Sequence, residues 1–209
     1  MKPLVKGEDT FCTYCISDLP RSNDHHEAQT TLKQKFAGRL PVTFACAFLK
    51  FRKRGNVQRI LHAFKYRNRP QIGYKLGLVY GSELAQAGIA NQVDFIIPVP
   101  LHPSRLRQRG YNQSEEWAKG LSVSLGVPVV PGILLRAVRT RTQTRRSRLG
   151  RWENVREVFF VQDEATVYQK GILLVDDVVT TGATLESCGN VLLKAGCKSL
   201  SISCIAATQ

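Results

Sequence analysis

Residues 172–184, reading I-L-L-V-D-D-V-V-T-T-G-A-T, constrain the fold more than any other part of this 209-residue chain. Four consecutive apolar residues, bounded by Gly171 and an acidic pair, predict a short strand buried on both faces. Asp176 and Asp177 then fall at its carboxyl end, where open α/β sheets hold their ligands. Thr180, Thr181, Gly182, Ala183 and Thr184 form a small-residue turn. After it, residues 185–195 carry Leu185, Val191, Leu192 and Ala195 at helical spacing and stop at Gly196.

Strand, acids, turn and helix in that order have a chemical use. Gly182 and its small neighbours let backbone N–H groups approach a phosphate, and a helix start favours negative charge. The threonine hydroxyls add donors. Two carboxylates do not bind phosphate, but they accept hydrogen bonds from the vicinal hydroxyls of a sugar or help to hold Mg²⁺. A phosphate beside a diol is a ribose 5-phosphate. The bland alternative is an ordinary strand–helix unit with an acidic turn and a hydroxyl cap.

The length suits one large domain, or a domain of ~150 residues with a small appendage. A hydrophobic content of 43% is enough for a real core. No run approaches the ~18 apolar residues of a membrane span, and the first residues lack a signal-peptide core. Membrane insertion is therefore not expected, and the expected compartment is the cytoplasm. The six cysteines are scattered, with Cys188, Cys197 and Cys204 in segments that read as core, so no secreted disulfide framework is expected. The charge is less ordinary, a formal +14. Residues 50–69 hold eight basic side chains and no acid, and residues 136–151 hold seven arginines and no acid. Such fields attract polyphosphates and nucleic acid alike.

Along the chain, residues 1–43 read as a polar, irregular segment preceding an α/β domain at 44–209. Cys12 and Cys15 form a C-x₂-C pair, and His25 and His26 follow, a set that fits a zinc knuckle or a pair without metal. Residues 44–51 and 93–99 read as strands, 57–66 and 71–87 as helices. The latter has Ile72, Leu76, Val79, Tyr80 and Leu84 as its apolar stripe. Prolines 98, 100 and 103 stiffen the end of the second strand. The arginines of 104–109 follow as a basic turn, solvated or, by its place after a parallel strand, anion-binding. Residues 114–125 predict a helix, and 127–130, 158–161 and 199–206 further strands. Residues 136–155 show no periodicity and predict a mobile arginine-rich loop, with Trp152 as its large apolar group. Any cover over the sugar is expected from residues 1–90.

Taken together, P-V-P-L-H (98–102), R-G-Y-N-Q (109–113), Q-T-R-R-S-R with R-W-E-N-V (143–155) and the stretch 172–184 resemble the ComF family. These are phosphoribosyltransferase-like proteins linked to bacterial competence and DNA uptake. The resemblance implies a type I phosphoribosyltransferase-like fold, a parallel sheet flanked by helices. It also implies a site for PRPP, 5-phosphoribosyl 1-pyrophosphate. Carried over residue by residue, Thr180, Thr181, Gly182, Ala183 and Thr184 would take the 5-phosphate, and Asp176 and Asp177 the ribose hydroxyls. Leu101, His102, Arg105 and Arg109 would take the pyrophosphate. Arg141, Arg145, Arg146 and Arg148 would lie in a flexible loop that closes during turnover. The implied reaction is Mg²⁺-dependent transfer of ribose 5-phosphate to an unidentified acceptor with release of pyrophosphate. Family members often carry an N-terminal zinc module of two cysteine pairs, and this chain departs from that pattern. The alternative is a non-catalytic PRPP- or nucleotide-sensing protein, or a single-stranded DNA binder, acting with the DNA-uptake machinery.

Overall fold

Why the middle of the sheet lies where it does follows from one strand. Gly171–Val179 is apolar through Val175, and its side chains alternate between two cores. Leu173 and Val175 pack on one side, Ile172 and Leu174 on the other. The computed structural model describes residues 10, 11, 13–136 and 159–208.

Among these, the order is α1 (Thr13–Ser17), α2 (Thr31–Gln34), β1 (Ala45–Phe51), α3 (Asn56–Tyr66), α4 (Gln71–Gln86) and β2 (Phe95–Pro98). Then come α5 (Pro103–Arg109), α6 (Gln113–Leu125), β3 (Leu134–Arg136), β4 (Phe159–Val161), α7 (Glu164–Val167), β5 (Gly171–Val179), α8 (Ala183–Lys194) and β6 (Ser199–Thr208). Four parallel strands pair in the order β1-β6-β5-β2. Helices α3, α4 and α6 supply the core of one face, and α2 and α8 that of the other. The expected architecture of helices on a parallel sheet is therefore present. No helix among the described residues is long and apolar enough to cross a membrane.

Helices α4 and α6 run side by side at unusually close range. Gly73, Gly77 and Gly81 recur every fourth residue on α4 and are all buried. A Cβ on Gly77 would stand 2.6 Å from the Trp117 carbonyl, and one on Gly120 would stand 2.1 Å from the Tyr74 carbonyl. Trp117 and Tyr80 stack beside this seam with ring centroids 5.9 Å apart.

Several expectations need correction. The strand expected at 127–130 is reduced to a bridge between Val129 and Ile96 on the outer edge of β2. Proline at 128 has no N–H to continue a ladder. The basic turn at 104–109 is a helix, α5, with the His102 ring accepting from the Ser104 amide (3.2 Å) and Pro103 in its first turn. Within the N-terminal segment, Leu32, Phe36 and Leu40 are buried in the same core as β1, β5 and α8. Thr30 fixes their entry, accepting from the Lys33 amide (2.9 Å) and donating to the Ala45 carbonyl (2.7 Å). The stretch predicted as a mobile loop falls almost wholly outside the described residues; its flanks are the antiparallel pair β3–β4, with Leu134 opposite Val161 and Arg136 opposite Phe159.

Candidate functional site

β5 continues four residues beyond its apolar run, so Asp176 and Asp177 stand within the strand rather than after it. The turn that follows is tight. Gly182 has φ +82°, which side chains rarely adopt, and a Cβ there would lie 2.9 Å from the Phe36 ring. Gly182 has no side chain to cap α8, and the Thr181 hydroxyl accepts from the Ala183 amide only at 3.5 Å, which leaves the helix start largely open toward an anion. Thr180, Thr181, Ala183 and Thr184 are exposed around this turn. Together with Asp176, they line a hollow of ≈ 50 Å³. Arg39 braces the turn from outside, donating to the Thr181 carbonyl (3.2 Å) and pairing with Glu186 (2.9 Å).

The acid pair is held differently at each member. Asp176 Oδ1 accepts from the Ser114 hydroxyl (2.9 Å) and from the Asp177 amide (2.8 Å). Burial, then the adjacent charge of Asp177, push its carboxyl up to about 7, although those two hydrogen bonds and Lys65 oppose the shift. Asp177 is gripped by Lys65 of α3, whose Nζ lies 2.9 Å from Oδ1 and 2.8 Å from Oδ2.

The second loop leaves the neighbouring strand. The Val99 amide donates to the Val175 carbonyl (2.9 Å), after which Leu101 and His102 lead into α5. His102 Nδ1 lies 2.7 Å from the Ser104 hydroxyl. Arg105 is exposed on α5. Arg109 is half-buried, donating to Gln113 (2.9 Å) with its guanidinium 5.4 Å from the Tyr66 ring centre. The R-G-Y-N-Q motif, expected to contribute through its arginine, also works as scaffold. The Tyr111 hydroxyl donates to the Phe64 carbonyl, fixing the end of α3. Asn112 caps α6, accepting from the Ser114 amide (3.1 Å), and donates to the Val99 carbonyl (3.0 Å). One asparagine thus joins the β2 loop to the helix whose Ser114 holds Asp176.

The structure therefore brings together Asp176, Asp177 and the turn 180–184, with the β2 loop beside them. Arg141, Arg145, Arg146, Arg148 and Cys12 lie outside the described residues. Ser114 and Lys65 are partners that the sequence reading missed. Of the expected zinc ligands, His25 and His26 lie against one another (ring centres 4.0 Å apart), and His25 also meets the edge of Tyr80. Among the described residues, no group of three or more His, Cys, Asp or Glu is placed to hold a metal ion. A much larger cavity, ≈ 720 Å³, lies between α3 and residues 10–19, lined by Phe11, Leu19, Ile60, Arg59, Arg67 and Arg69 among others. Neither acid of β5 lines it. Asp176 and the turn 180–184 line the smaller hollow instead.

Residues 83–209 match the phosphoribosyl transferase domain family. The chain is similar to Competence protein F of Haemophilus influenzae, 31% identical over 147 residues, covering 68% of this chain and 64% of that protein. It is also similar to DNA utilization protein YhgH of Escherichia coli K12, 30% identical over 152 residues, covering 71% and 66%. Competence protein ComFC of Streptococcus pneumoniae is 35% identical over 108 residues, covering 51% and 44%. The chain thus spans just under two thirds of the length of the first two and less than half of the third. Among solved structures, it resembles the glutamine phosphoribosylpyrophosphate (PRPP) amidotransferase of B. subtilis at 23% identity and a TM-score of 0.48, covering 69% of this chain and 30% of that one. The chain belongs to the phosphoribosyl transferase domain family, on its ComF-type branch with the competence and DNA-utilization proteins.

Proposed function

We propose that this protein binds PRPP and transfers its ribose 5-phosphate to an acceptor, releasing pyrophosphate. The observation that carries the reading is the acid pair beside the uncapped Gly182 turn, a diol acceptor adjoining a phosphate-sized hollow. In this reading, the turn 180–184 receives the 5-phosphate through backbone N–H groups and threonine hydroxyls. Asp176 and Asp177 accept the ribose hydroxyls. Leu101, His102, Arg105 and Arg109 face the pyrophosphate, where negative charge grows as the C1–O bond breaks. Cationic side chains aimed there lower the barrier because they favour the transition state over the ground state.

Carboxylate oxygens suit a hard cation, but no third acid, His or Cys among the described residues joins the pair. Mg²⁺ would therefore enter with the oxygens of pyrophosphate and ribose, and its chemistry would be to offset charge on the leaving group. Zinc on Cys12, Cys15, His25 and His26 remains a separate proposal, checked by metal analysis of protein purified without chelator.

Calorimetric titration with PRPP, with and without Mg²⁺, tests the reading. Wild type should bind in a metal-dependent manner, and Asp176→Asn/Asp177→Asn should lose at least ~100-fold in affinity, since several charged hydrogen bonds go at once. Absence of binding by wild type would remove the reading.

A second reading is favoured by the surface that adjoins this site at Arg109. Tyr66 is 57% exposed, flanked by the His62 ring (4.9 Å) and the Arg109 guanidinium (5.4 Å), with Arg67 and Arg69 following. An exposed aromatic among cations suits stacking on a base of single-stranded DNA. The named roles of the relatives in competence and DNA utilization agree with it. Such binding would make the protein a DNA-handling component with or without turnover, and it would survive loss of both acids.

A further inference from the structure

Lysine at position 65 has no place in the four motifs on which the resemblance rests, yet its side chain meets one of them directly at Asp177. We infer that Lys65 is a positioning residue for the sugar site: its ammonium, carried on α3, holds the Asp177 carboxylate in place and aimed to accept the ribose hydroxyls. This rests on the PRPP reading and adds a residue to it. The Nζ atom meets both carboxylate oxygens, at 2.9 and 2.8 Å. Both side chains are largely shielded, 21% and 13% exposed, so water and salt screen the pair less than a surface contact.

Two carboxyls adjacent in sequence oppose each other's ionisation, and a cation fixed beside one offsets that repulsion. Among the described residues, Lys65 supplies the ion pair made to these acids. Its starting point is not free to drift. Val57, Leu61 and Phe64 bury one face of α3, the Phe64 ring lies over Gly73, and the Tyr111 hydroxyl holds the Phe64 carbonyl. Tyr111 belongs to the R-G-Y-N-Q motif, so that motif supports Asp176 through Asn112 and Ser114 and Asp177 through Phe64 and Lys65.

The test is PRPP titration of wild type, Lys65→Met, Lys65→Arg, Asp177→Asn and Lys65→Met/Asp177→Asn, each with its Tm. Lys65→Met should weaken binding on the order of 10- to 100-fold, as expected when one partner of a shielded charge pair is removed. Lys65→Arg should recover most of it. The double variant should bind no more weakly than Asp177→Asn alone, because both changes remove the same interaction. Wild-type affinity in Lys65→Met, with Asp177→Asn impaired, would overturn this inference and leave the PRPP reading standing. A further full loss in the double variant would also overturn it, by showing that Lys65 acts without Asp177. Failure of wild type to bind would overturn both. Should Lys65→Met not fold, Lys65→Gln, which keeps the stem and a polar head, takes its place in the same cycle.

Discussion

Burial and the charge of Asp177 push the Asp176 carboxyl up to about 7, and two consequences follow at this residue. The first concerns stability. Between pH ~4 and ~7, the folded protein keeps a proton that the unfolded chain has released, so stability falls as pH rises through that window. Asp176→Asn removes the dependence while still accepting from Ser114. Its Tm relative to wild type should therefore rise from pH 5 to pH 8, by roughly 5–10 °C for a protein of this size. A pH-independent difference would show an ordinary carboxyl. The second concerns binding: a carboxylate accepts more hydroxyl bonds than a protonated acid, so PRPP affinity should increase through pH ~7. Asp176 and Asp177 themselves were legible in the sequence because strand, acids, glycine and helix are contiguous there. Ser114 and Lys65 were not, since they reach the acids from 62 and 112 residues away. Only the placement of α6 and α3 reveals them.

Among the elements, α4 and α6 bear most directly on the site, because α6 begins with the residues that hold Asp176 and the β2 loop. Their seam leaves no space for a methyl group. Gly120→Ala should lower Tm by several degrees, up to roughly 8 °C, since overpacking against backbone costs ~1–3 kcal/mol and outweighs alanine's better helix propensity of ~1 kcal/mol. Val123→Ala, at a position 64% exposed on the same helix, is the control and should change Tm little. An unchanged Tm in Gly120→Ala would mean that the helices part easily. The main strands and long helices could be read from apolar runs and helical spacing, and β1, β2, β5, β6, α3, α4, α6 and α8 are present near their expected bounds. Helix α5 escaped because its arginines carry no apolar stripe and its start is set by His102 and Pro103. The glycines of α4 were in view at 73, 77 and 81, but a periodic gap signals a neighbour only once the partner helix is known.

Over the whole molecule, the formal charge of +14 sets how it meets polyanions at a distance. If single-stranded DNA binds through about five phosphate contacts, affinity should fall about 100-fold for a fourfold rise in salt, given a slope of ~0.7 per contact. Fluorescence anisotropy with an oligothymidylate checks this; affinity insensitive to salt, or abolished with Asp176 and Asp177, would sink the DNA reading. The shape of the molecule imposes a different kind of limit on smaller ligands. β2 and β5 are hydrogen-bonded neighbours, with Pro98 opposite Val175. β5 runs on to Val179, so the two loops proposed to take pyrophosphate and ribose phosphate leave the sheet one strand apart and offset by four residues, roughly 13 Å along the strands. The sheet is a ruler with two marks. Side chains at either mark can be exchanged without moving it, so chemical preference is free to drift, whereas a ligand of different span would require the strands themselves to be paired anew.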